Sequence, residues 1–177
     1  MEIFVTNKRD KVLEFFLKHP AGEFHLRELE RLTKISLPWV RKIIELLAKE
    51  QLIQIKNERG LRISKANRDN ELFLAIKQSY NLLSLYTSGV VKMLNDSYNH
   101  PEAIVLFGSY RRGEDTETSD IDIAVITKRK LNLALMPFEK KLERKIKVLE
   151  LEKGKIEKDF LSTLANGIVL TGYLEIV

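Results

Sequence analysis

The stretch Leu106-Phe107-Gly108-Ser109-Tyr110-Arg111-Arg112-Gly113, followed after a polar loop by Ser119-Asp120-Ile121-Asp122-Ile123-Ala124-Val125, decides how the second half of the chain is read. Ala103–Phe107 reads as a strand that ends in Gly-Ser and turns at once into a short helix from Ser109. A turn of that kind offers the backbone N–H groups of a helix start to an anion. Gly108 lets the backbone approach a phosphate closely, and Ser109 adds a hydroxyl hydrogen bond. Arg111 and Arg112 bring positive charge nearby, and one guanidinium can grip an anion through two parallel hydrogen bonds. Residues 121–127 read as the next strand. Asp120 and Asp122 stand two apart, so their side chains project from one face, while Ile121, Ile123 and Val125 turn to a core on the other. Two neighbouring carboxylates repel unless a cation lies between them. A Mg²⁺ bound to triphosphate oxygens meets that need, and it is the arrangement used for phosphoryl transfer.

Working outward, residues 133–144 read as a helix, Ile146–Leu151 as a strand, 156–165 as a helix and 168–170 as a tail. This alternation predicts an α/β layered domain. Upstream, Leu72, Phe73, Ile76, Tyr80, Leu83, Val90 and Leu94 recur at three- and four-residue steps and predict one long helix over 69–97, with Gly89 as the place for a kink. Asn99-His100-Pro101 ends it. So many apolar residues need cover, which favours contact with a second copy of the chain in a homodimer.

Towards the start, Val12, Leu13, Phe15 and Phe16 lie on a helical pattern over 8–18 that His19-Pro20-Ala21-Gly22 stops. A second short helix over 26–32 turns Leu26, Leu29 and Leu32 inward. Ser36 reads as the N-cap of a third helix, with Pro38 in its first turn and Val40, Ile43, Ile44 and Leu47 as the buried stripe. Leu52-Ile53-Gln54-Ile55 and Leu61-Arg62-Ile63 then alternate as two strands around the turn signal Asn57-Glu58-Arg59-Gly60.

With 44% apolar and 31% charged residues among 177, the chain has enough apolar material for a folded core. It has no Cys, which excludes a disulfide scaffold, a thiolate zinc site and a cysteine nucleophile, and His19, His25 and His100 show no ligand spacing. No apolar run approaches a membrane span, and Met1-Glu2-Ile3-Phe4-Val5-Thr6 lacks the basic region of a signal peptide, so the expected compartment is the cytoplasm without membrane association. The net charge is +5, and all of it falls in residues 1–66, which carry 14 Lys/Arg against 9 Asp/Glu; residues 67–177 carry 16 of each. Such asymmetry points to one module that meets a polyanion joined to one that does not; a solubilising surface is the competing reading.

Three helices and a β-hairpin in the first 66 residues resemble a winged helix-turn-helix domain of the archaeal and bacterial DNA-binding type, with Phe24-His25-Leu26-Arg27-Glu28-Leu29 opening the second helix. The resemblance implies that the third helix enters the major groove of DNA and that the hairpin wing touches the backbone or minor groove. The outward candidates are then Ser36, Pro38, Trp39, Arg41, Lys42 and Glu45, with Lys56 and Arg59 on the wing. Arg41 and Lys42 meet phosphates or base edges, and Trp39 either packs or faces DNA. A winged helix used for dimerisation or docking is the alternative.

The block Gly-Ser-x-x-Arg-Gly-(x)5-Ser-Asp-x-Asp at 108–122 resembles the signature of the polymerase β-type nucleotidyltransferases, and looks most like the minimal ones of archaea and bacteria. The resemblance implies that a metal-bound NTP, with ATP the expected one, donates its nucleoside monophosphate to a hydroxyl and releases pyrophosphate. Gly108 and Ser109 would hold the triphosphate, with Arg112 and Ser119 as further nucleotide-binding candidates. Asp120 and Asp122 would be the catalytic carboxylates and the ligands of Mg²⁺. The family's third carboxylate lies on a later strand beside the first pair. That strand has no Asp here, and Glu150 stands at the expected place, as metal ligand or general base. The other readings are a solvated strand face for Glu150 and Glu152, and for Arg112 a simple ion pair with Glu114 or Glu117. Minimal members often work beside a partner protein, some as antitoxins that adenylylate a toxin, so a helical toxin-like partner is implied as well.

The expected architecture is therefore a two-domain α+β or α/β chain. It comprises a winged helix over 1–66, a connecting helix over 67–100 and a nucleotidyltransferase domain with a small mixed sheet over 101–177. The expected function is Mg-dependent nucleotidyl transfer by a protein that also binds DNA. The alternative is a DNA-binding transcriptional regulator or antitoxin whose inactive transferase domain only binds nucleotide or a partner.

Overall fold

In the computed structural model, residues 7–58 and 60–175 are described, and the chain divides into two compact units, residues 1–77 and 78–177. Arg59, an expected wing residue, lies outside the described residues.

In the first unit, α1 (Lys8–Lys18) starts at Asn7, whose side chain accepts a 3.0 Å hydrogen bond from the Asp10 N–H and so satisfies one of the open donors of the first turn. It buries Val12, Leu13, Phe16 and Leu17. Then come β1 (Glu23–His25), α2 (Leu26–Thr33), α3 (Leu37–Lys49), β2 (Ile53–Glu58) and β3 (Leu61–Ala66). The strands form an antiparallel sheet in the order β1-β3-β2. The strand β1 is absent from the sequence reading, which gave Phe24 and His25 to the approach of the second helix. Three residues are too few for an alternation to show, and only pairing with Ile63–Lys65 defines them. Leu29 is fully buried, but Leu32 is 46% exposed where an inward side chain was expected. Thr33 takes the inward place, its hydroxyl donating to the Leu29 carbonyl at 2.6 Å. Ser36 occupies the N-cap position of α3 without a side-chain cap. The Glu30 carboxylate does that work from α2, accepting the Leu37 N–H at 2.8 Å.

The helix α4 (Glu71–Ser88) runs into the second unit, and α5 (Val90–Ser97) follows it. The expected single helix is broken at Gly89, whose φ of +88° is incompatible with helical backbone and is accessible to glycine at little cost. The remaining elements are β4 (Ala103–Phe107), α6 (Gly108–Arg112), β5 (Ile121–Ile126), α7 (Met136–Leu142), β6 (Ile146–Leu151), α8 (Lys158–Ala165) and β7 (Ile168–Gly172). The sheet runs β6-β5-β4-β7, with β5 and β6 parallel and β4 antiparallel to both β5 and β7. Residues 168–170, read as a tail, are thus part of an edge strand.

One face of this sheet carries Ile104, Leu106, Ile121, Ile123, Val125 and Ile146 against Leu85 and the α5 residues Val90, Val91 and Leu94. The other carries Ala103, Val105, Ala124 and Ile126 against Leu164 of α8. Apolar cover on both faces explains the near-continuous hydrophobic run of β4 and β5. The side-chain positions of β5 alternate, so Asp122 belongs to the α8 face, where its ladder partner Phe107 packs against Phe160 of α8.

Candidate active site

The chain turns sharply from β4 into α6 at Gly108, with φ +77°. Across the ladder, Phe107 pairs with Asp122, which brings the turn against the Asp122 side chain. A Cβ on Gly108 would lie 2.5 Å from Asp122 Oδ2, closer than side chains tolerate. Glycine at 108 is favoured by the left-handed backbone conformation, and a Cβ there would displace the Asp122 carboxylate. No side chain caps the first turn of α6, which begins at the turn beside Asp122.

Asp120 precedes β5 and Asp122 lies within it. Burial pushes the Asp122 carboxyl above the usual carboxylate range; Lys147 pulls it back down and the negative charge of Asp120 adds to the rise. The parallel register sets Lys147 directly beside Asp122, and its Nζ lies 2.6 Å from Asp120 Oδ2. The loop into β5 is anchored from below. Asp115 is fully buried, accepts from Asn81 Nδ2 at 2.7 Å and lies 3.9 Å from the Arg144 guanidinium, while Asn81 also donates to the Tyr110 carbonyl at 2.8 Å.

The expected third acid is not at the site. Ile121 pairs with Ile146 and Val125 with Glu150, so Glu150 shares the sheet face of Ile146 and Val148, opposite to that of Asp122. Its Oε1 accepts from the Tyr98 hydroxyl at 2.7 Å and from the Leu131 N–H at 2.6 Å. Burial, reinforced by that carboxylate, pushes the Tyr98 hydroxyl well above the usual phenol range. Glu150 is thus a structural anchor, and Lys147 stands in the position that was assigned to it. Two other expected contacts are also engaged elsewhere. Arg112 Nε donates to Glu114 Oε2 at 2.6 Å, the simple ion pair, and the Ser119 hydroxyl accepts from the Thr116 N–H at 2.9 Å within its own turn. The Nε of Arg111 is buried without a hydrogen-bond partner.

Sequence reasoning missed Lys147 and the set Asn81, Asp115 and Arg144. The alternation of Ile146, Val148 and Glu150 does show in the sequence and argues against Glu150. Which residue of β6 stands beside Asp122 is fixed only by strand register. The donor set fits one Mg²⁺, a cation commonly held by one or two carboxylates with phosphate oxygens and water completing its shell. Among the described residues no group of three His, Asp or Glu side chains is placed to hold a metal alone.

In the first unit, Trp39 is 46% exposed, with Lys8 Nζ 4.6 Å and Lys42 Nζ 5.5 Å from its ring centroid. Trp39 is thus a surface residue, and Ser36, Arg41 and Lys42 are exposed too. Lys56 lies 3.5 Å from Glu23 Oε1. Arg41 lines a groove of about 750 Å³ with Arg27, Arg31 and Arg62.

Residues 88–169 match the family model of the nucleotidyltransferase domain. A relative from Methanocaldococcus jannaschii named "Putative protein adenylyltransferase" is 62% identical over 34 residues, 19% of this chain and 33% of the relative. The matched segment spans about a third of that relative's length. The family-model match falls within the second unit. Among the described residues no helix is long and apolar enough to cross a membrane.

Proposed function

We propose that the second unit binds a nucleoside triphosphate with one Mg²⁺ and transfers its nucleoside monophosphate to a hydroxyl. The observation that carries this is the contact between the Gly108 turn and the Asp122 carboxylate, which puts phosphate donors and metal ligands side by side. Gly108 and Ser109 hold the phosphate tail, and Asp120 and Asp122 hold the cation. When bound, Mg²⁺ neutralises the phosphate charge and polarises the α-phosphate. The acceptor oxygen forms a bond to the α-phosphorus, the bond to the β-phosphate oxygen breaks, pyrophosphate leaves, and the acceptor proton passes to solvent. The name of the Methanocaldococcus jannaschii relative favours ATP as donor and a protein as acceptor, as expected for a chain that works beside a helical toxin-like partner.

The first unit is read as a winged helix that binds DNA. Its element order, helix, strand, two helices and a two-stranded hairpin, supports that reading, as do the exposed Arg41 and Lys42 on α3 and the excess positive charge of residues 1–66. A homodimer on a two-fold DNA site is the arrangement this implies.

A second reading is favoured by Lys147, which replaces a carboxylate with an ammonium at the site. In it the second unit binds nucleotide without transferring it, and the protein is a cytoplasmic DNA-binding regulator or antitoxin. Incubation with Mg²⁺ and ATP labelled at the α-phosphate separates the two. Transfer of label to a macromolecule, lost in Asp122→Ala, supports the transferase; heat of MgATP binding without transfer supports the regulator. Neither binding nor transfer by the native protein would overturn both.

A further inference from the structure

The ammonium of Lys147 lies 2.6 Å from Asp120 Oδ2, and strand pairing sets Lys147 beside Asp122. The neighbouring Lys145 is turned away to Glu139, at 3.3 Å, so the cation against the carboxylate pair is that of Lys147. Two carboxylates and one ammonium leave the pair with a single net negative charge. A divalent cation arriving alone must break the Asp120–Lys147 contact and then sit beside a displaced positive charge. A polyphosphate changes that balance, because its oxygens supply negative charge to the metal and to the lysine together.

We infer that Lys147 makes entry of a divalent cation depend on a polyphosphate, acting as a built-in counter-ion to Asp120 when the site is empty and as a phosphate donor when nucleotide arrives. The phosphate-donor role rests on the reading of the second unit as a nucleotide site; the counter-ion role does not. In this arrangement Lys147 is a specificity-determining residue: it excludes free metal and admits metal that comes with phosphate. Its side chain is 68% exposed, so its replacement leaves the core intact.

The test is Mn²⁺ binding, followed by the electron paramagnetic resonance of free Mn²⁺, with and without ATP, in the native chain and in Lys147→Met and Lys147→Arg. Removal of the charge in Lys147→Met is expected to tighten binding of Mn²⁺ alone by about tenfold and to weaken binding of Mn²⁺ with ATP. Lys147→Arg keeps the charge and is expected to behave as the native chain. If Mn²⁺ alone binds Lys147→Met no more tightly than the native chain, the inference is overturned whatever ATP does. If Mn²⁺ alone binds the variant more tightly but ATP gives no added binding to any of the three proteins, the counter-ion role stands and the nucleotide reading falls.

Discussion

At Gly108 the left-handed φ and the 2.5 Å approach of Asp122 Oδ2 to a hypothetical Cβ act against the same substitution. Gly108→Ala is expected to lower stability by about 1–2 kcal/mol from backbone conformation alone. It is also expected to remove MgATP binding by pushing the Asp122 carboxylate aside; denaturant unfolding and calorimetry read the two effects separately. Glu150 provides the opposite case. Glu150→Ala strips the Tyr98 hydroxyl of its acceptor in a buried setting and is expected to cost about 1–3 kcal/mol, read from the unfolding midpoint. Its affinity for MgATP should match that of the native chain, since Glu150 and Asp122 occupy opposite faces of the sheet. A loss of binding in folded Glu150→Ala would contradict the site as drawn.

At the scale of elements, the carboxylates depend on a loop that one buried network holds. Asp115 ties the segment between α6 and β5 to Asn81 on α4 and to Arg144 just before β6. Removal of the Asp115 carboxylate takes the acceptor from Asn81 Nδ2 and the anionic partner from the Arg144 guanidinium. Asp115→Ala is therefore expected to cost roughly 3–5 kcal/mol in denaturant unfolding. The same scale shows where sequence reading loses force. Periodicity over residues 69–97 is continuous and Gly89 marks the place for a kink, but only the structure shows two separate helices there. The tail at 168–170 reads as featureless because an edge strand needs its neighbour β4 to be recognised. The helix expected over 133–144 is confined to Met136–Leu142, with Pro137 in its first turn.

At the scale of the whole molecule, the excess positive charge resides entirely in residues 1–66. If that charge meets duplex DNA, the logarithm of affinity falls linearly with the logarithm of salt concentration. Loss of one phosphate contact in Arg41→Ala should reduce the steepness of that line by about 0.9. Fluorescence anisotropy with a duplex across a salt series measures it, and an unchanged slope would place Arg41 away from the phosphates. Asp122→Ala should leave the slope as it is, because that carboxylate belongs to the other unit.

The sequence by itself determined that Gly-Ser and Asp-x-Asp flank one loop, and that Val40, Ile43, Ile44 and Leu47 of α3 and Ile121, Ile123 and Val125 of β5 are buried; Leu17 of α1 and Ala124 and Ile126 of β5 were not expected. Those properties follow from local periods of 3.6 and 2 and from residue chemistry, which the chain carries along its length. Tertiary structure alone decided that Lys147 stands beside the aspartates and that Glu150 meets the Tyr98 hydroxyl and the Leu131 N–H. A parallel strand pair separated by a helix has no local rule for its register. A shift of one residue would exchange the two faces of β6, and only packing against the rest of the sheet selects between them.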